Sequence, residues 1–174
     1  MKKYDCYHGT GLSNYESIVN SKSFTFKPRN NHWLGGGVYF FVDDLSKARW
    51  WSKNNRPDKD TIPVILAITM EFQDEEVLNL DLEDDLKKLD SFSDDILESL
   101  GTNKAKLVDI PDEHVWQCKI LEVFLKRNDK YSVVCRTFET TQKKGASLFS
   151  GLSKQMCVRD MSKIPIDKIN LING

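Results

Sequence analysis

Residues Asn30–Trp51 read NNHWLGGGVYFFVDDLSKARWW. Three consecutive glycines, Gly35–Gly37, run directly into Val38, Tyr39, Phe40 and Phe41. Glycine weakens a strand and aromatic residues favour one. The two belong together where the backbone must bend and something must approach it closely. Val38–Val42 is therefore read as a strand whose successive rings alternate between faces. Asp44 is placed to cap a helix through about Lys53, with Ala48 and Trp51 spaced for one side of it. A phosphate-cradling loop is a poor fit, because the run lacks GxxxxGK[ST] and leads into a strand rather than a helix.

Upstream, Tyr4–His8 reads as a short first strand. Ser13 and Glu16 form an S-x-x-E capping box ahead of Tyr15, Ile18 and Val19. Lys22–Asn31 is a polar connection. Downstream, Pro57 lies in a charged loop, and Pro63–Met70 is apolar and β-branched, as a buried strand is. Leu80–Leu100 predicts one or two acidic helices with Gly101 as the stop. Pro111 and Asp112 open a helix with Trp116, Ile120 and Val123 on one side. Strands follow at Tyr131–Phe138, Lys154–Arg159 and Ile169–Ile172. The pattern predicts a mixed α+β fold over residues 1–174 as a single domain.

Composition agrees: 174 residues, 40% hydrophobic and 29% charged, fit one globular unit. No apolar run approaches the roughly 20 residues of a membrane span, and MKKYDCYHGT lacks the apolar core of a signal peptide, so no membrane association is expected. Cys6, Cys118, Cys135 and Cys157 form no CxxC pair. They read as buried thiols of a cytoplasmic protein, with no metal site. The net charge of −1 hides an asymmetry: residues 71–113 hold 15 acids and 4 bases, residues 119–168 hold 11 bases and 5 acids. That suits either solvated faces or a basic part that meets an anionic partner.

Two constellations carry chemistry. His8-Gly9-Thr10 ends the first strand, where the glycine allows close backbone approach and Thr10 adds a hydroxyl. Tyr39 and Trp50 have the spacing to grip a flat ring, worth about 0.5–1.5 kcal/mol beyond burial. Taken singly, a core packing role explains these rings equally well.

Together, YHGT and WLGGGVYFFVDDLSKARWW resemble the ADP-ribosyltransferases of the diphtheria-toxin and poly(ADP-ribose) polymerase type. That pattern is an H-G-[ST] strand, then G-x-G-[IV]-Y-F leading into a helix with a second aromatic, then a late strand with a glutamate. The dense match covers about a third of the chain. The resemblance implies a split mixed β-sheet flanked by helices and NAD+ as co-substrate. It implies that His8 binds the nicotinamide-side ribose, that Gly9 pairs with the carboxamide beside Thr10, and that Tyr39 and Trp50 stack on the nicotinamide. Gln155 stands where the pattern has glutamate. Gln155 as it is, Glu139 as substitute carboxylate, or binding without turnover all stay open.

The expected activity is transfer of one ADP-ribose to a macromolecule. The acceptor is RNA or DNA rather than protein by a small margin, with Lys143, Lys144 and Phe149 as acceptor contacts. A toxin or anti-phage defence effector with a possible antitoxin is the setting that the resemblance implies. An NAD+ hydrolase, an RNA 2′-phosphotransferase and a non-catalytic ADP-ribose-binding module are the alternatives.

Overall fold

A computed structural model describes residues 1–30, 32–55, 59, 61–101, 113–140 and 150–174. Seven strands form one mixed sheet in the order β4-β5-β6-β2-β1-β3-β7. They are β1 (Lys2–Gly11), β2 (Val38–Val42), β3 (Pro63–Phe72), β4 (Val77–Asn79), β5 (Val133–Glu139), β6 (Leu152–Val158) and β7 (Asn170–Asn173). Among the described residues, only the β4–β5 pair is parallel. Helices α1 (Leu12–Ser21), α2 (Leu45–Asn54), α3 (Glu83–Ser99) and α4 (Glu113–Arg127) flank it.

Alternation along the strands makes two cores. One face gathers Tyr4, Cys6, Phe40, Leu66, Met156 and Val158 against α1 and Phe24. The other gathers Leu78, Val134 and Cys157 against Leu121, Phe124 and Leu125 of α4. Each fully buried Leu, Val, Phe or Met among them contributes about 1.5–3 kcal/mol.

The β1 ladders on its two sides are unequal. Against β3 it pairs ten residues in register, from Lys2↔Phe72 to Gly11↔Pro63. Against β2 it pairs two, Cys6↔Val42 and Tyr7↔Phe41. Side chains hold this seam where the backbone does not. The first core runs across it, and α2 straddles it with Ala48 and Ser52 over Gly9 and Trp51 against Phe41.

Several expectations are corrected. α1 starts at Leu12 with Gly11 as its cap and no side-chain cap bond, so Ser13 lies inside the helix and the capping box does not form. β1 extends past His8 to Gly11 because β3 pairs it throughout. On α4 the buried residues are Cys118, Ile120, Leu121, Phe124 and Leu125, while Val123 is exposed, so the packed side is rotated from the one read off Trp116, Ile120 and Val123. The Lys22–Asn31 connection carries a core residue, Phe24. Asp44 does cap α2, accepting the Lys47 N–H at 3.0 Å. Leu100 ends α3 ahead of Gly101, whose φ of 63° suits glycine. Pro57, Pro111, Asp112, Lys143, Lys144 and Phe149 lie outside the described residues.

Candidate functional site at the β1–β2 seam

Peptide groups along a strand alternate sides. The Leu12 N–H reaches the Ile62 carbonyl beyond β3, so even-numbered β1 residues face β3. The Asp5 carbonyl accepts the Asp43 N–H at 2.8 Å, so odd-numbered ones face β2. Gly9 therefore aims its N–H and C=O at the place where Tyr39 would pair with it. That pair is absent: the β1–β2 ladder stops at Tyr7↔Phe41. The Tyr39 carbonyl instead takes the His8 imidazole, with Nδ1 at 2.8 Å. A side chain has taken the carbonyl that the next rung would use, beside the buried backbone of Gly9.

This contact decides the state of His8. A carbonyl only accepts, so Nδ1 carries the proton. Burial lowers the imidazole's affinity for a second proton, against the opposing effect of the Tyr39 hydrogen bond. The ring is therefore neutral near pH 7, with Nε2 as an acceptor. Phe24 meets it edge-on at 5.6 Å and Phe40 lies 5.5 Å away, which fixes its orientation. Thr10 is buried and its hydroxyl accepts from Asn14 at 3.0 Å, so it anchors α1.

Gly9 has a second constraint. A Cβ there would lie 2.2 Å from the Ala48 carbonyl oxygen and 2.9 Å from the Ser52 nitrogen. The close approach anticipated at this glycine is made by α2 from one face. The peptide edge, at right angles to it, is directed toward β2.

Tyr39 organises the glycine loop. Its hydroxyl accepts the Leu34 N–H and donates to the Gly35 carbonyl, both at 2.8 Å, and burial keeps it protonated. His32 stacks on its ring at 5.7 Å. Gly35 has φ of 79°, and a Cβ on Gly37 would lie 2.5 Å from the Val158 carbonyl oxygen. The three glycines thus serve one left-handed turn and one close strand approach. Trp50 makes no ring contact with Tyr39; it is 52% exposed on α2, whereas its neighbour Trp51 meets Phe41 at 6.2 Å.

The register settles which late-strand residue shares the Tyr39 face. Gln155 pairs with Phe41 on one side and Arg136 on the other. Tyr39, Phe41, Gln155 and Arg136 therefore line one face, with His8 on the other face at the seam. Glu139 pairs with Leu152, at an odd offset from Arg136, so it points to the face opposite Gln155 and is exposed. The pleat thus puts Glu139 and Gln155 on opposite faces of the sheet.

Two clefts lie apart from His8, Gly9, Tyr39 and Gln155. One of about 520 Å³ lies at the end of β6, beside Phe26, Arg29, Gly36, Glu122, Tyr131 and Arg159. One of about 320 Å³ opens between α3 and α4 beside Trp33, Trp116, Arg136 and Phe138. The charge asymmetry is partly cancelled within the fold, because Lys154 pairs with Asp81 at 2.8 Å and Lys163 with Glu76. No metal-holding cluster of three or more His, Cys, Asp or Glu occurs among the described residues, and no described helix is long and apolar enough to cross a membrane.

Phe24, His32 and Glu122 were missed as site-shaping residues. Glu122 meets Gly36 across 86 positions, and no local pattern signals such a contact.

No protein-family description matches the chain, and no solved structure matches it. An uncharacterized protein of Methanocaldococcus jannaschii is 35% identical over 54 residues, 30% of this chain. The chain spans a quarter of that relative's length.

Proposed function

We propose that the seam is an NAD+ site and that the protein is a mono-ADP-ribosyltransferase acting on a macromolecular acceptor, with nucleic acid favoured over protein. The observation that carries this reading is the broken rung. Gly9, buried under α2, directs its N–H and C=O toward β2 past the end of the ladder, the donor–acceptor pair that a carboxamide would need. Neutral His8 offers Nε2 as acceptor to a ribose hydroxyl. Tyr39, and Trp50 from α2, supply the ring walls. NAD+ supplies the scissile nicotinamide–ribose bond. The protein's part is to hold the carboxamide, orient the ribose and keep water from the anomeric carbon while positive charge develops there.

Gln155 decides how fast that happens. Its amide oxygen can accept from a ribose hydroxyl, but it opposes positive charge only as a dipole. Arg136, its cross-strand partner, adds charge of the wrong sign for an oxocarbenium. This pair favours a second reading, a module that binds NAD+ or ADP-ribose without turnover. The setting of a toxin or defence effector with an antitoxin accompanies the first reading only.

Incubation of the protein with adenylate-labelled NAD+ and a lysate split into protein, RNA and DNA fractions separates the readings. Label in a macromolecular fraction is expected. Nicotinamide release without label identifies a hydrolase, and binding without release identifies the module. Absence of NAD+ binding by calorimetry rejects all three.

A further inference from the structure

We infer that Glu122 is a positioning residue for the seam, acting through the glycine loop. This rests on the NAD+ reading above. Glu122 projects from α4, half-buried, into the bend that precedes β2. Its Oε1 accepts the Gly36 N–H. Its Oε2 lies 3.6 Å from an Arg159 guanidinium nitrogen, at the end of β6. A Cβ on Gly35 would come within 2.7 Å of Glu122 Oε1, so the left-handed glycine leaves the room that Glu122 occupies. The next residue back, Leu34, and Gly35 itself hold both hydrogen bonds of the Tyr39 hydroxyl.

One carboxylate from α4 thus fixes the loop that fixes Tyr39, and Tyr39's carbonyl orients His8. The connection is three contacts long: Glu122 to Gly36, loop to Tyr39 hydroxyl, Tyr39 carbonyl to His8 Nδ1. A charged acceptor on a backbone N–H is the strong form of such a bond. Arg159 steadies it from the far side and has a buried Nε with no partner among the described residues, so its guanidinium is committed to Glu122 by one edge only. Glu122 touches none of His8, Gly9 or Gln155 in the described contacts, which separates its role from that of a ligand-binding residue.

The test compares Glu122→Ala, Glu122→Gln and, as a core change on the same helix, Ile120→Val. NAD+ affinity is measured by calorimetry, amide exchange at Gly36 and Gly37 by mass spectrometry, and Tm by calorimetric melting. Glu122→Ala is expected to weaken NAD+ binding on the order of tenfold and to speed exchange at the loop. Glu122→Gln keeps an acceptor oxygen for Gly36 and is expected to restore most of both. Ile120→Val is expected to lower Tm without changing either. Unchanged affinity in Glu122→Ala overturns the inference, as does a loss that Ile120→Val reproduces at equal Tm. Failure of the unmodified protein to bind NAD+ overturns both the NAD+ reading and this role. Exchange at Gly36 then still reports whether the clamp exists, so the two failures are told apart.

Discussion

The two sides of β1 are made from the same ten residues and do opposite things. Toward β3 every position from Lys2 to Gly11 has a partner. Toward β2 the ladder stops after two, and an imidazole takes the next carbonyl. A complete ladder satisfies its own backbone and has nothing to offer a ligand. An interrupted one leaves a donor and an acceptor at a known spacing, which is the raw material of a binding site. The cost of the interruption is met by the core beneath and by α2 across the seam.

The strongest way to break this arrangement is Gly9→Ala. The added methyl meets backbone atoms of α2, which have no side-chain freedom to yield. A loss of about 3 kcal/mol is expected, or roughly 6–12 °C in Tm for a chain of this size. An unchanged melting curve would show that α2 does not clamp the seam.

His8→Ala should leave the ten-pair side intact and empty the two-pair side. Nicotinamide release, or NAD+ binding if there is no turnover, is expected to fall about a hundredfold with a smaller effect on Tm. Equal loss of stability and function would reduce His8 to a packing residue.

Gln155→Glu sharpens the electrostatic half of the comparison. A carboxylate on the Tyr39 face opposes the developing charge, so the cleavage rate should rise about tenfold, while Glu139→Ala, on the other face, should change nothing. A rate that falls in the first or the second variant contradicts the assignment of faces by register.

The acid response of His8 is the next effect in size. Its folded affinity for a proton is lowered, so the unfolded chain binds more protons once pH drops below the ordinary value of 6.5. Its contribution is therefore present above about pH 6.5 and lost as pH falls below it, by up to about 1.4 kcal/mol per pH unit. Denaturant melts from pH 7 to 5 on the protein and on His8→Asn should diverge, with the variant showing the shallower slope.

Trp50→Ala is the mildest change. An exposed indole should alter stability by less than about 0.5 kcal/mol. A weakening of NAD+ binding by about 0.5–1.5 kcal/mol would assign it to the ring slot.

Local chemistry was readable and long-range geometry was not. Val38–Val42 as a strand, Asp44 as a cap and Gly101 as a stop all follow from propensity and turn conformation within a few residues. The Ser13 box failed because β1 continues to Gly11 and hands directly to α1, a tertiary pairing that outcompetes a local cap. Among the candidate residues, the sequence could name His8, Gly9, Tyr39 and Gln155 but not their faces, since one residue of register reverses every side chain. That is why Glu139 and Gln155 look interchangeable in the sequence, although the register puts them on opposite faces. The role of Glu122 and the packing of Phe24 on His8 depend on contacts whose partners are distant in the chain.

The four thiols offer a use of their own. Cys6 lies in β1, while Cys135 and Cys157 lie in β5 and β6 beyond the seam, and Cys118 lies in α4; all four are free and buried. Burial raises the Cys135 thiol to about 11 and raises those of Cys6 and Cys157 still further, so none is reactive while covered. Each thiol is a built-in clock that starts only when its strand or helix becomes exposed. If the seam parts before the rest of the sheet, an alkylating reagent will mark Cys6 ahead of Cys135. If the sheet opens as one body, all four marks will appear together.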